Sequence, residues 1–141
     1  MTDKIDYSLF KKALLNLELQ YKNLTTLTNE ETLIVEAVQE SVIQRFEICC
    51  DLTWKILKKY LSKTLGLPDV PNAPKPIFRL AYENKMLSSD MNFWLNYIDI
   101  RNSTSHDYNG EKAKAAIELM EHFINDIINL YEKMSNEQWK I

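Results

Sequence analysis

Apolar side chains recur at intervals of three and four residues along most of the chain. This spacing places them on one face of an α-helix. The first stripe consists of Tyr7, Phe10, Leu14, Leu17, Tyr21 and Leu24. The second consists of Ile34, Val38, Val42, Phe46, Cys49, Leu52, Ile56 and Tyr60. No segment alternates with a period of two over a convincing length, so the pattern predicts helices and no sheet.

Local signals predict where the second helix begins and ends. Thr28 followed by Glu31 is a capping-box pattern, which starts this helix near Asn29. Gly66 is suited to the C-terminal cap. A helix of about 35 residues is longer than most. We therefore expect a kink or break near residues 39–41.

A proline-rich connector separates this first half from three further helical segments. All four prolines fall within residues 68–76, and residues 66–75 form a connector that cannot be helical in its middle. Pro76 can occupy the first turn of a short third helix. Ser88 or Ser89 caps a fourth helix, and Asn109 caps a fifth. The apolar positions are Phe78, Leu80, Ala81 and Tyr82 in the third helix, Met91, Trp94, Leu95 and Ile98 in the fourth, and Ala113, Ala116, Ile117, Met120, Ile124, Ile127, Tyr131 and Met134 in the fifth.

These segments predict an all-α fold, an antiparallel four-helix up-down bundle with one additional short helix. The 141 residues are enough for one domain, spanning residues 1–141. Trp54, Phe93 and Tyr97 fall off the main stripes. They indicate a second apolar face that is available to a partner.

Composition and charge exclude several classes of function. Two glycines in 141 residues argue against a Gly-rich phosphate-binding loop and a doubly wound nucleotide-binding domain. A net charge of −3 argues against tight binding to duplex DNA but allows a local RNA site. No apolar run is long enough to span a membrane, and the charged N-terminus does not resemble a signal peptide. We expect a cytoplasmic protein, in which the adjacent Cys49 and Cys50 are reduced packing residues.

One polar stretch, residues 99–110, does not fit bundle packing. Asn102 and His106 are four residues apart and share a helix face. Arg101 and His106 point in different directions on a straight helix, but they can converge if the helix ends near Ser105. The alternative is structural: Arg101 pairs with an acidic residue, and His106 belongs to a helix terminus, where positive charge is favoured.

Arginine and histidine together can cleave RNA without a metal. Histidine exchanges a proton near neutral pH, and arginine binds phosphate oxygens through a fixed fork of donors. The pair suits attack of a ribose 2′-hydroxyl on its own phosphate, with Arg101 stabilising the charge that develops. We predict no metal or cofactor, because Asn109-Gly110 interrupts the conceivable ligand set of His106, Asp107 and Glu111.

The stretch Arg101–Tyr108 matches the R-x4-H-x-Y motif of HEPN-domain proteins. The chain resembles their subgroup called nucleotidyltransferase substrate-binding proteins, which are encoded beside a minimal nucleotidyltransferase. The resemblance covers nearly the whole chain. It includes Gln44-Arg45-Phe46-Glu47, Trp54-Lys55, the Gly/Pro connector and the Trp94 helix that leads into Arg101-Asn102.

The resemblance implies a homodimer in which two motifs face each other across a cleft. It implies a metal-independent endoribonuclease that is the toxin of a toxin–antitoxin pair. Arg101 and His106 are then the catalytic residues, and Asn102 is their polar support. The antitoxin is the partner nucleotidyltransferase, which in relatives transfers AMP to the motif tyrosine, here Tyr108.

Other interpretations of the same residues stay open at this point. The acidic charge fits a non-catalytic subunit that presents Tyr108 or a bound substrate to the nucleotidyltransferase, and a helical adaptor without a site is a third interpretation. Tyr108 can instead pack against the end of the bundle. Arg45 and Glu47 form an internal ion pair or border the dimer cleft. His122 is expected to be a solvated surface residue.

Overall fold

The computed structural model describes residues 4–27, 31–108 and 110–140, without the side chain of His106. The described residues form five α-helices and no strand. The helices are α1 (Ser8–Thr26), α2 (Thr32–Lys59), α3 (Pro74–Glu83), α4 (Met91–Ser103) and α5 (Glu111–Ser135). The predicted all-α bundle, four longer helices with one short helix, is confirmed.

The four longer helices surround a common apolar core. α1 packs on α2 and α5, α4 packs on both α2 and α5, and the short α3 lies against α2 and α4. Most of the predicted stripe positions are buried, among them Phe10, Leu14, Phe46, Trp94 and Met120. The bundle is therefore held by burial of one apolar face from each helix.

α2 is shorter than expected, at 28 residues, but more regular. It runs without interruption through residues 39–41, contrary to the expected kink or break. Its irregularity comes at the end, where Tyr60–Thr64 form a π-helical turn. Gly66 then adopts a φ of +66°, and the Leu67 amide donates to the Leu61 carbonyl at 3.0 Å, so a left-handed glycine ends the helix. The predicted glycine cap is confirmed.

The N-terminal caps differ from the sequence prediction. α2 begins at Thr32, after Glu31, and the predicted capping residue Thr28 lies outside the described residues. Asp90 caps α4 by accepting from the Asn92 amide, so the prediction of Ser88 or Ser89 was wrong. The reason is that a carboxylate one residue later takes the position, while both serine hydroxyls bond elsewhere.

The start of α5 is capped from a preceding loop. The Asp107 carboxylate accepts from the Gly110 amide at 2.6 Å and the Lys112 amide at 3.2 Å. Gly110 occupies the N-cap position itself, while Asn109, the predicted cap, lies outside the described residues. A carboxylate at this end also matches the positive pole of the helix dipole.

The two adjacent cysteines are free and buried in the core, as predicted. Burial raises the pKa of the Cys49 thiol to about 12. Both thiols therefore act as small apolar packing groups. Within the part of the chain that the structure describes, no helix is long and apolar enough to cross a membrane.

Candidate active site

The C-terminal end of α4 faces two carboxylates from α2. Glu47 and Asp51 are four residues apart, so they lie on the same face of α2. Arg101 lies in the last turn of α4 and reaches across to both. Together with Thr104 and Tyr108 they form what we call the Glu47 cluster: Glu47, Asp51, Arg101, Thr104 and Tyr108.

Arg101 is bound by both carboxylates of this cluster. Its Nε and Nη2 donate to the two Asp51 carboxylate oxygens, each at 3.0 Å, in a bidentate pair. Its Nη1 donates to Glu47 Oε2 at 3.5 Å. The hydrogen bond to Asp51 is the main cause that raises the pKa of Arg101. The structural alternative, in which Arg101 pairs with acidic residues, is therefore realised, and it fixes the guanidinium at the end of α4.

Glu47 collects donors from α4 and from the segment that follows it. Its Oε2 also accepts from Thr104 Oγ1 at 2.8 Å, and its Oε1 accepts from the Tyr108 hydroxyl at 3.0 Å. Glu47 is only 7% exposed. The suggested ion pair between Arg45 and Glu47 was wrong, because Arg45 Nε instead donates to Ser41 Oγ, one turn earlier on α2. A buried carboxylate needs such donors, and here the motif segment supplies them.

Tyr108 presents its ring to solvent while its hydroxyl stays bonded. The residue is 38% exposed, which does not fit the alternative of packing into the bundle end. The hydrogen bond to Glu47 raises the pKa of Tyr108, because a neighbouring carboxylate disfavours the phenolate. The side chain is therefore accessible, neutral and oriented.

The other two predicted site residues are less fully placed. α4 ends at Ser103 and continues as a 3-10 turn, Thr104–His106, which agrees with the expected end of the helix near Ser105. The His106 side chain lies outside the description, so its convergence with Arg101 stays a prediction. Asn102 is exposed, and among the described side chains it takes no part in the hydrogen bonds of the Glu47 cluster.

A second polar network lies between α4 and α5. We call it the Asp126 cluster: Ser88, Ser89, Tyr97, His122 and Asp126. Asp126 accepts from Ser89 Oγ at 2.6 Å, from Ser88 Oγ at 3.2 Å and from the Tyr97 hydroxyl at 2.5 Å. His122 Nδ1 lies 3.3 Å from Asp126 Oδ2 and hydrogen-bonds to the Tyr97 hydroxyl.

This second network corrects one sequence prediction and adds detail to another. Tyr97 is 1% exposed and belongs to the core, so it does not contribute to a second apolar face. Burial raises the pKa of the Tyr97 phenol strongly. His122 is partly exposed, as predicted, yet it is bonded to the network and stacked on Phe93 with ring centroids 4.2 Å apart. It is therefore more ordered than a free surface histidine.

Two further features bear on what the molecule can bind. Among the described residues, no group of three or more His, Cys, Asp or Glu side chains could hold a metal ion. A surface cavity of about 560 Å³ opens beside the N-terminal end of α1 and the C-terminal half of α2. Its described lining contains no member of the Glu47 cluster. The lining includes Leu9, Trp54 and the lysines Lys55, Lys58, Lys59 and Lys63.

Sequence reasoning had not singled out Asp51 or Thr104. The signal for Asp51 was its position one helical turn after Glu47. The signal for Thr104 was its place three residues after Arg101, on the same side of the helix end. Which partner each of them meets depends on how α2 and α4 are rotated against each other, which only the packed structure shows.

Residues 5–136 match the family model described as "Nucleotidyltransferase substrate binding protein like". The chain belongs to this family. It is also 29% identical over 139 residues to the protein named "Probable ribonuclease HepT" of Haemophilus influenzae, covering 95% of this chain and 94% of that one. The suspected relationship to HEPN-type, nucleotidyltransferase-associated proteins is thereby confirmed.

Two solved structures share the fold of this family member. One is a Haemophilus influenzae protein whose structure is reported to reveal the fold of a substrate binding domain of a nucleotidyltransferase. It aligns with a TM-score of 0.83 and 25% identity over 92% of this chain and 99% of its own. The other, a protein from Thermus thermophilus, aligns with a TM-score of 0.74 and 26% identity over 89% of this chain and 98% of its own.

Proposed function

We propose that this chain is a HEPN-type toxin, a metal-independent endoribonuclease that acts on single-stranded RNA. The observation that carries the proposal is the fixed position of Arg101 beside the accessible Tyr108, both held by Glu47 at the end of α4. The similarity to a probable ribonuclease supports it. We further propose that the chain acts as a homodimer, in which two motifs share one cleft.

The cluster fits the chemistry of 2′-hydroxyl attack. A guanidinium has five N–H donors, and three of those of Arg101 point to the described carboxylates. The two others are suited to a phosphate oxygen. His106 of one copy takes the 2′-hydroxyl proton, the 2′-oxygen bonds to phosphorus, and the 5′-oxygen leaves with a proton from the protonated His106 of the second copy. Arg101 stabilises the charge that builds on the phosphoryl oxygens.

We propose that a partner minimal nucleotidyltransferase neutralises this activity as the antitoxin, by transferring AMP to Tyr108. The exposed ring and the oriented hydroxyl of Tyr108 support this choice of target. Because Tyr108 and Arg101 bond to the same carboxylate, a phosphate attached to Tyr108 lies beside the guanidinium. It then competes with the RNA phosphate for Arg101.

The test is cleavage of a mixed RNA pool in the presence of EDTA. We expect Arg101→Ala to lower the cleavage rate by about 100- to 1,000-fold, the usual loss for a group that stabilises a transition state. Arg79→Ala is the matched control, because Arg79 is exposed on α3 and is not a member of the Glu47 cluster. It should stay within about twofold of the wild type. Equal RNA decay with all three proteins would contradict the nuclease proposal.

A second candidate is a non-catalytic subunit that presents Tyr108 or a bound substrate to the nucleotidyltransferase. Its specific support is the bidentate bond of Arg101 to Asp51, which is also a stable structural arrangement. The lysine-lined cavity near Trp54 offers a place for an anionic substrate. This candidate predicts a stable complex with the nucleotidyltransferase. It also predicts that wild-type protein whose mass shows no modification does not cleave RNA.

A further inference from the structure

We propose that Glu47 is the base that accepts the phenol proton of Tyr108 when the partner transfers a nucleotide to this tyrosine. The inference rests on the proposed neutralisation of the chain through Tyr108 and adds the group that makes the tyrosine reactive. It assigns to the target protein, and not to the partner, one of the catalytic groups of the transfer.

The geometry places the base at the reacting atom before any partner binds. Glu47 Oε1 lies 3.0 Å from the Tyr108 hydroxyl oxygen, within the distance required for direct proton transfer. The tyrosine as a whole is 38% exposed, so a triphosphate can approach the hydroxyl from solvent while the carboxylate stays behind it. The incoming phosphate and the base thus occupy different sides of the same oxygen.

The carboxylate is held so that one oxygen remains for this task. Oε2 accepts from Thr104 at 2.8 Å and from Arg101 at 3.5 Å, which leaves Oε1 directed at Tyr108. Ile43, one turn earlier on α2, is buried with Ala113 and Ala116 of α5. These contacts fix α2 beside the start of α5, so the base is positioned before the reaction begins.

The nucleotide donor in the proposed transfer is a nucleoside triphosphate bound by the partner. The Tyr108 oxygen attacks the α-phosphorus, and a new phosphorus–oxygen bond forms. The bond between the α-phosphorus and the bridging oxygen breaks, and pyrophosphate leaves. The phenol proton moves to Glu47 Oε1, so the tyrosine need not form a free phenolate in water.

Few other titratable groups surround this pair among the described residues. Arg101 and Asp51 lie beside Glu47, and the buried thiol of Cys50 interacts with these three charges. The pKa of Cys50 is raised by burial, so the thiol stays neutral near physiological pH. Neither Asp51 nor Cys50 is bonded to the Tyr108 hydroxyl. Glu47 is therefore the described base that contacts the nucleophile.

The experiment measures label transfer from α-32P-labelled ATP to the full chain in its complex with the nucleotidyltransferase. We expect Glu47→Gln to slow transfer by about 100-fold, the ordinary contribution of a general base. Glu36→Gln is the matched control, because it makes the same change at an exposed position on α2. It should retain the wild-type rate.

The pH dependence separates a base from a group that only positions the tyrosine. Without Glu47 the phenol must ionise to solvent, so the Glu47→Gln rate should rise about tenfold per pH unit below the phenol pKa. The wild-type rate should change much less over the same range. A uniform loss without this steepening overturns the base assignment, as does transfer to Glu47→Gln at the wild-type rate. Absence of label on the wild type overturns the proposed neutralisation and the inference with it.

Discussion

Two buried carboxylates anchor the two ends of α4, and each accepts a hydrogen bond from a tyrosine. Asp126 on α5 is 4% exposed and binds the segment that leads into α4. Glu47 on α2 is 7% exposed and binds the segment that follows α4. The two networks therefore use the same chemistry at opposite ends of one helix.

The two networks differ in the solvent exposure of their tyrosines and in the charge of the neighbouring donors. Tyr97, the tyrosine of the Asp126 cluster, is enclosed by the core, and the serines that share its carboxylate are neutral. Tyr108, in the Glu47 cluster, is open to solvent and stands next to a permanently charged arginine. If the proposed function holds, accessibility and the nearby cation, rather than the buried carboxylate itself, distinguish the Glu47 cluster from a structural anchor.

Asp126→Ala should destabilise the fold more than any other change considered for these two clusters. Three hydroxyl donors and His122 lose their acceptor, so we expect the free energy of unfolding to fall by about 3 kcal/mol. Urea denaturation followed by circular dichroism measures it. A loss below about 1 kcal/mol would show that the Asp126 cluster is not an anchor, and the contrast with the Glu47 cluster would fail.

Replacing each tyrosine by phenylalanine compares the two clusters more closely, because each substitution removes only the hydroxyl group. Tyr97→Phe should lower the free energy of unfolding by about 1.5 kcal/mol, because a buried hydrogen bond to a carboxylate is lost. Tyr108→Phe should lower it by about 0.5 kcal/mol, since the ring is accessible to water and Thr104 and Arg101 still serve Glu47. The same denaturation series measures both. Equal losses would contradict the assigned difference between the clusters.

A subtler change is expected in the titration of Tyr108. A carboxylate acceptor raises the pKa of the phenol, so Glu47→Gln should lower the Tyr108 pKa toward the ordinary value of about 10. The stability that this raised pKa contributes is present below pH about 10 and is lost as the pH rises through the folded-state pKa. NMR of 13Cζ-labelled tyrosine measures the shift. An unchanged Tyr108 pKa would show that the hydrogen bond does not persist in solution.

Local patterns sufficed for most of the fold. The stripes of α1, α2 and α5 predicted the buried faces, and Gly66 predicted the end of the second helix. These features depend on interactions within a few residues. The N-terminal caps were less predictable. Ser89 and Asp90 are both chemically suited to cap α4, and only the path of the loop selects Asp90. At α5 the path of the loop likewise brings the Asp107 carboxylate to the Gly110 amide.

The site was predicted only in part for a related reason. Arg101 and Tyr108 stood out through their spacing in one short segment. Their carboxylate partners come from a distant helix, since Arg101 and Asp51 are 50 positions apart in the chain. Asp126 gave no sequence signal at all, because nothing in α5 indicates that two serines and a tyrosine from elsewhere converge on it.

The two histidines of the chain allow the reactive region to be separated from the structural anchor. His106 follows α4 beside the Glu47 cluster, and His122 lies within the Asp126 cluster. We would measure the rate of RNA cleavage in EDTA by wild type, His106→Ala and His122→Ala, each folded at the assay temperature. We predict a loss of about 100-fold or more for His106→Ala and a rate within about twofold of wild type for His122→Ala. Equal rates for the two variants would contradict the assignment of the end of α4 at the Glu47 cluster as the reactive region.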